Sequence, residues 1–207
     1  MDLRRVDRDL PALTVLALLL TGPRHTYEMH RMMIETHKDF VTGLPRSMYH
    51  AVDRLLRDEL IRVQETGRDG ARPERTIYAL TEAGRVELRE RVTRLLKHPD
   101  PDTTVFVAAL SFAACLPAGR AAEALRARRN TLALRITGLD DALASIPETL
   151  PRLLLIETEY ERNRLDAERS WVDALVVDLE SGRLGWSDDI GALVDLVSTD
   201  DGEARMG

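Results

Sequence analysis

Six side chains in the run PRSMYHAVDRLLR, residues 45–57, have types and spacing suited to one kind of chemistry: Arg46, Ser47, Tyr49, His50, Arg54 and Arg57. Arginine carries a flat fork of N–H donors that pairs two at a time with a phosphate or with the edge of a guanine. Hydroxyl, phenol and imidazole groups add donors and acceptors of shorter reach. A second group, Arg68, Arg72 and Arg75, sits around Gly67, Gly70 and Pro73. A glycine-rich loop of that kind lays guanidinium groups along phosphates. Both sets recognise by hydrogen bond and charge, and neither makes or breaks a covalent bond.

Nothing else in the chain assembles a reacting centre. His30 and His37 are seven residues apart, two helical turns, which is too far to chelate one ion; no His-Glu-x-x-His run or cysteine pair accompanies them. Asp140-Asp141 and Asp188-Asp189 are adjacent rather than facing, and GRDGARPER lacks the Lys-Ser/Thr end of a phosphate-binding loop. No metal, no cofactor and no enzymatic activity are therefore expected. The single Cys115 rules out an intramolecular disulfide, and its neighbours Ala113, Ala114 and Leu116 make it a buried small hydrophobe. That usage suits a reducing, cytoplasmic setting.

The six residues need a helix to present them. Met48, Val52, Leu55 and Leu56 fall at i, i+4, i+7 and i+8, one apolar stripe, so the cations and polar groups between them face away from it. Asp53, on that outer face, is expected to pair with Arg54, Arg57 or His50. Pro45 opens this helix, where a missing N–H costs nothing. Ahead of it, Leu10 to Thr21 reads as a dense apolar helix stopped by Gly22-Pro23. Thr26 then caps a second helix with Tyr27, Met29, Met33 and Phe40 as its apolar members. After it, Leu60 to Val63 and Thr76 to Leu80 read as strands around the Asp69-Gly70 turn. Thr81 caps a fourth helix whose apolar positions are Ala83, Val86, Leu88, Val92, Leu95 and Leu96.

His98-Pro-Asp-Pro-Asp102 cannot continue a helix. It divides the chain into residues 1–97 and 98–207. The second part is helical: Thr103 to Cys115, then a helix with the seam Leu125, Leu132, Ile136, Leu139, Leu143 and Ile146, and after Pro147 and Pro151 a third helix running to about Ser181-Gly182. Roughly 30 residues at 1.5 Å each make a rod of about 45 Å, which calls for a second copy to bury its seam. The charged span Glu157–Arg164 interrupts that rod. It is expected to be an exposed span or a salt-bridge ladder with the partner helix, or else to line, through Tyr160 and its neighbours with Trp171 further along, a polar inter-subunit cavity for a small-molecule effector.

The chain carries a net charge of −6, which by itself disfavours an anionic partner, yet the charge is segregated. Residues 1–97 hold 18 Lys and Arg against 15 Asp and Glu, +3, and residues 98–207 hold 11 against 20, −9. A mildly basic front joined to an acidic back suits a nucleic-acid reader whose other half stays off the polyanion. The longest apolar stretch, Ala12–Leu20, is shorter than the ~20 residues a bilayer span needs. Asp2, Asp7 and Asp9 offset Arg4, Arg5 and Arg8 before it and no small-x-small cleavage site follows, so it reads as a core helix and not a leader.

Three segments together, LLLTGPRHTYEMHRMM, LPRSMYHAVDRLLRDELI and RPERTIYALTEAGR, resemble the PadR family of bacterial transcriptional regulators over roughly residues 10–95. The resemblance implies a mainly α fold with an α+β wing: an N-terminal winged helix-turn-helix followed by a C-terminal helical dimerisation domain with long helices. It implies a homodimer, a repressor, reading a two-fold-related site in double-stranded DNA. Arg46, Ser47 and His50 would meet base edges, Tyr49 and Arg54 the backbone, and the wing cations Arg68, Arg72 and Arg75 phosphates or the adjoining minor groove, with Arg57 among the DNA contacts. Two positions depart from the family pattern: Thr26 follows His25 where glycine is usual, and Leu44, which cannot cap a helix, precedes Pro45. The rival from another class is an interaction adaptor whose winged module docks protein; an enzyme with an unrecognised site in the acidic half is a weaker one.

Overall fold

Helix α1 (Leu10–Leu19) is apolar on every side, and a helix of that kind belongs inside a core. Leu13, Val15, Leu16 and Leu19 are essentially without solvent contact in the computed structural model, which describes residues 3–35, 46–67 and 75–187, the side chains of 67 and 75 excepted. Among these residues no helix is long and apolar enough to cross a membrane. Asp9 caps α1, its carboxylate accepting from the Ala12 N–H at 3.2 Å, and Pro11 occupies the first turn.

Strand β1 (Arg24–His25) leads straight into α2 (Thr26–Glu35). Two residues carry no period, and this strand escapes sequence reading. The expected cap is corrected here: Thr26 is buried, and His25 does the capping. Its Nδ1 accepts from the Tyr27 N–H at 3.0 Å, while Glu28 Oε2 accepts from the His25 N–H at 3.1 Å. This is a reciprocal capping box with imidazole in place of a hydroxyl. Met29 and Met33 are buried as expected, whereas Tyr27 is 62% exposed and Phe40 lies outside the described residues.

Helix α3 (Arg46–Arg57) is followed by β2 (Ile61–Gly67) and β3 (Arg75–Leu80), and the antiparallel sheet has the order β1-β3-β2. The register pairs Ile61 with Leu80 and slips once, between Val63 and Glu65. The turn from α3 into β2 is a Schellman cap: Leu60 N–H donates to the Leu55 carbonyl at 2.9 Å and Glu59 N–H to that of Leu56 at 3.1 Å. Glu59 occupies the left-handed position, φ 56°, that glycine usually fills. A Cβ there costs about 1 kcal/mol. Glu59→Gly should therefore raise stability by roughly that amount, read as a higher urea midpoint at constant slope.

Helix α4 (Glu82–Lys97) begins as expected at Thr81, whose hydroxyl accepts from the Gly84 N–H at 3.0 Å. Leu88, Val92, Leu95 and Leu96 are buried, but Ala83 and Val86 turn to solvent, so the inward face is narrower than the apolar residues of this stretch imply. Helix α5 (Thr103–Ser111) stops earlier than expected. Ala113–Cys115 forms a separate 3-10 turn, because the residue before Pro117 is barred from helical geometry and the chain tightens ahead of it. The Cys115 thiol is buried, which pushes its pKa up to about 12.

Helices α6 (Ala118–Ala144) and α7 (Ile156–Glu180) lie antiparallel, tied by Arg126–Glu180, Arg129–Asp173 and Arg162–Asp140. The seam of α6 is covered within the chain: Leu132 and Ile136 pack on Leu165, with Leu139 beside them. Leu143 and Ile146, further along the seam, are half-buried. Leu150, Leu153 and Leu154 precede the last helix and are exposed, because Pro151 delays the helix start to Ile156. One continuous core joins α1, α3, α4, α5 and the near ends of α6 and α7.

Candidate nucleic-acid interface

The stripe of α3 is buried as its spacing demands: Met48, Ala51, Val52 and Leu55 pack inward, with Leu56 half-buried. Arg46, Tyr49, His50, Asp53 and Arg57 are exposed on the opposite side, and Ser47 is half-buried between. Among the described residues Arg46 and His50 form no ion pair. Arg57 donates from Nε to the Asp53 backbone carbonyl at 3.3 Å, leaving the rest of its fork outward.

The expected partner of Asp53 is corrected. Arg54 turns away from it to Asp9, with Nη2 at 2.7 Å and Nε at 3.1 Å from Asp9 Oδ2. The Asp53 carboxylate forms no ion pair among the described residues, and its charge bears on Tyr78 of β3. Burial, then the negative field of Asp53, raises the Tyr78 phenol above its ordinary pKa, against a lowering hydrogen bond from Thr76. Tyr78 thus stands behind the recognition face as a neutral phenol at every physiological pH.

Of the loop cations, Arg68 and Arg72 lie outside the described residues. Arg75 opens β3, its backbone paired with Gly67, and its side chain is likewise not described. One residue joins this face without having been named as a contact: Tyr27 stands beside Tyr49 over a recess of about 210 Å³ shared with Thr26, His30 and Met48. Tyr27 lies two residues from Met29 and six from Met33, off the face those two share, so its outward placement follows the helical period.

In the C-terminal half the charged residues 157–164 pair within the chain: Arg152–Glu159 at 2.8 Å, Arg164–Glu161 at 2.7 Å and Arg162–Asp140 at 2.9 Å. Trp171 meets Phe106 edge to face, with ring centroids 6.2 Å apart, and both line a recess of about 330 Å³ with Thr103, Val107, Leu110, Arg164 and Glu168. Tyr160 is not part of it; it is 69% exposed and about 16 Å away along the same helix. Beneath the recess Arg128 is buried, its Nε 2.6 Å from Glu168 and its Nη1 donating to the carbonyls of Leu95, Leu96 and His98. No cluster of three or more His, Cys, Asp or Glu that could hold a metal occurs among the described residues.

Three helices, the third presenting cations outward and running into a two-stranded hairpin and a capped fourth helix, define a winged helix-turn-helix. Residues 15–90 match the model of the Transcriptional regulator PadR-like family. The match falls within the winged module of this chain. No curated protein matches the chain. Among solved structures it is similar to PadR of Bacillus subtilis in complex with operator DNA, with a TM-score of 0.40 and 19% identity over 81% of this chain and 98% of that one. It is also similar to smu.1604c of Streptococcus mutans, with a TM-score of 0.38 and 20% identity over 80% and 98% of the two chains. A third similar structure is B. subtilis PadR with p-coumaric acid, at 0.36 and 17% over 83% and 99%.

Proposed function

We propose that this chain is a sequence-specific DNA-binding regulator of transcription, a repressor acting as a homodimer on a two-fold-related operator. The observation that carries the reading is the outward row Arg46, Tyr49, His50 and Arg57 on a helix whose opposite stripe is buried. In this reading Arg46, Ser47 and His50 meet base edges near the N-terminus of α3, and Tyr49 and Arg57 meet phosphates. Arg68, Arg72 and Arg75 add wing contacts. Two copies address half-sites about 34 Å apart. Exposed Leu134, Leu153, Leu154 and Ile156, around the far end of the α6–α7 hairpin, offer apolar surface for the second copy. Residues 1–97 then serve as the DNA-reading part and 98–207 as the dimerising part. A small effector held beside Trp171 would act on the reader through the α5–α7 recess, without Tyr160.

The test is selection of duplexes from a random pool, followed by titration of the enriched duplex and a scrambled one across salt. The expected result is sequence preference with a log–log salt slope of about −0.9 per phosphate contact. Arg46→Ala should cost about 1–3 kcal/mol on the enriched duplex and relax its base preference. Arg72→Ala should weaken both duplexes alike and flatten the slope by about 0.9. Equal losses on every sequence for both variants would overturn the division of roles.

A further inference from the structure

Three consecutive residues before α1 make three long-range ion pairs. Asp7 is buried and held by Arg94 of α4 at 2.8 Å, Arg8 reaches Asp100 in the α4–α5 link at 2.6 Å, and Asp9 takes Arg54 of α3 at 2.7 Å. Of these only the last touches the recognition helix. Asp9 divides its carboxylate between two tasks: Oδ1 receives the first-turn Ala12 N–H of α1, and Oδ2 receives both the Nε and an Nη of Arg54. The N-terminus of the central core helix and the C-terminal half of the recognition helix are thus joined through one side chain.

We infer that Asp9 is a positioning residue for DNA reading, setting the angle of α3 on α1 through Arg54, and that Arg54 acts in this pair rather than as a phosphate ligand. The inference rests on the DNA-binding reading. Its physical content is a competition. A guanidinium already paired with a fixed carboxylate contributes no net positive charge to a passing phosphate, whereas Arg46 and Arg57, on the same helix, have no carboxylate partner among the described residues. The pair is partly open, its side chains 41% and 23% exposed, so its strength lies in orientation rather than in stability. Arg54 spends two donors on one oxygen, which fixes both the distance and the plane of its fork.

The sign of one substitution separates the two roles. Asp9→Asn keeps the α1 cap, since asparagine caps as well as aspartate, but removes the charge that holds Arg54. A positioning role predicts that Asp9→Asn and Arg54→Gln each lower the ratio of enriched-duplex to scrambled-duplex affinity, by about tenfold. The salt slope stays that of the wild type, and the double variant is no worse than either single one. Arg54→Lys, which keeps the charge and loses the fork, should lose discrimination too. Thermal unfolding and far-ultraviolet circular dichroism on the same full-length variants establish that folded protein is being compared. Tighter binding by Asp9→Asn with a slope steeper by about 0.9 would overturn the inference, because it would mean that a liberated Arg54 goes to phosphate. Unchanged discrimination in both single variants would overturn it equally. If the wild type enriched no duplex at all, the DNA-binding reading itself would fall and this inference with it.

Discussion

Gly84→Ala should destabilise the protein by roughly 3 kcal/mol or more, the upper end of what overpacking costs. The reason is backbone, not side chain. A Cβ at residue 84 would collide with the carbonyl oxygen of Leu60 and stand 2.8 Å from Leu80 Cδ1. That carbonyl cannot retreat, because it accepts from the Thr81 N–H at 3.1 Å and from the Thr81 hydroxyl at 2.9 Å. The first turn of α4 is thereby pressed on the junction where α3 turns into β2, the same junction that orients the recognition helix. Denaturant unfolding measures the cost, with Val86→Ala, on the exposed side of the same helix, as the control expected within about 0.5 kcal/mol of wild type. A Gly84→Ala midpoint indistinguishable from that control would refute this account of the close approach. DNA affinity should fall with stability in Gly84→Ala, whereas Glu59→Gly, at the same junction, should raise stability.

Removing Arg128 should cost about 3–5 kcal/mol, the range for breaking a buried ion pair from one side. Burial lowers the Arg128 pKa, with a smaller push from Arg135, and the Glu168 carboxylate opposes that shift by its charge and its hydrogen bond. The guanidinium also lies 3.6 Å above the Phe106 ring. Its second office matters as much: it supplies the donor for carbonyls at the end of α4, at Leu95, Leu96 and His98. Helix ends leave such carbonyls without intrahelical partners, and here they are buried away from water. Arg128→Ala therefore strands the carbonyls and leaves the Glu168 carboxylate only the longer pair with Arg164 at 3.7 Å. Adding Glu168→Ala should recover only part of the loss, since the carbonyls remain unsatisfied. Urea unfolding of both single variants and the double gives the coupling, and full recovery in the double would show that the carbonyl bonds contribute nothing.

Much of the reading face is legible before any fold is known. The burial of Met48, Val52 and Leu55 follows from their spacing, and the outward placement of Arg46, Tyr49, His50 and Arg57 follows from theirs. The Thr81 cap, the stop at Gly22-Pro23 and the break at Pro99-Pro101 are equally local, since each depends on groups a few residues apart. Tyr27 shows the limit of such reasoning. Its type suits a core position, but its offsets of two and six residues from Met29 and Met33 put it off their face, so residue type alone misleads.

The sequence by itself determined the winged helix-turn-helix order, the recognition stripe and the helical back half, because periods, caps and breakers act over one or two turns of chain. The tertiary structure alone decided that Arg54 answers to Asp9 and not Asp53, that Arg128 closes the end of α4, and that α7 fills the seam of α6. In each case the deciding partner lies tens of residues away: 45 for Arg54 and Asp9, 40 for Arg128 and Glu168. A charge has many eligible partners along a chain that is 31% charged, and only the packing of the core chooses among them.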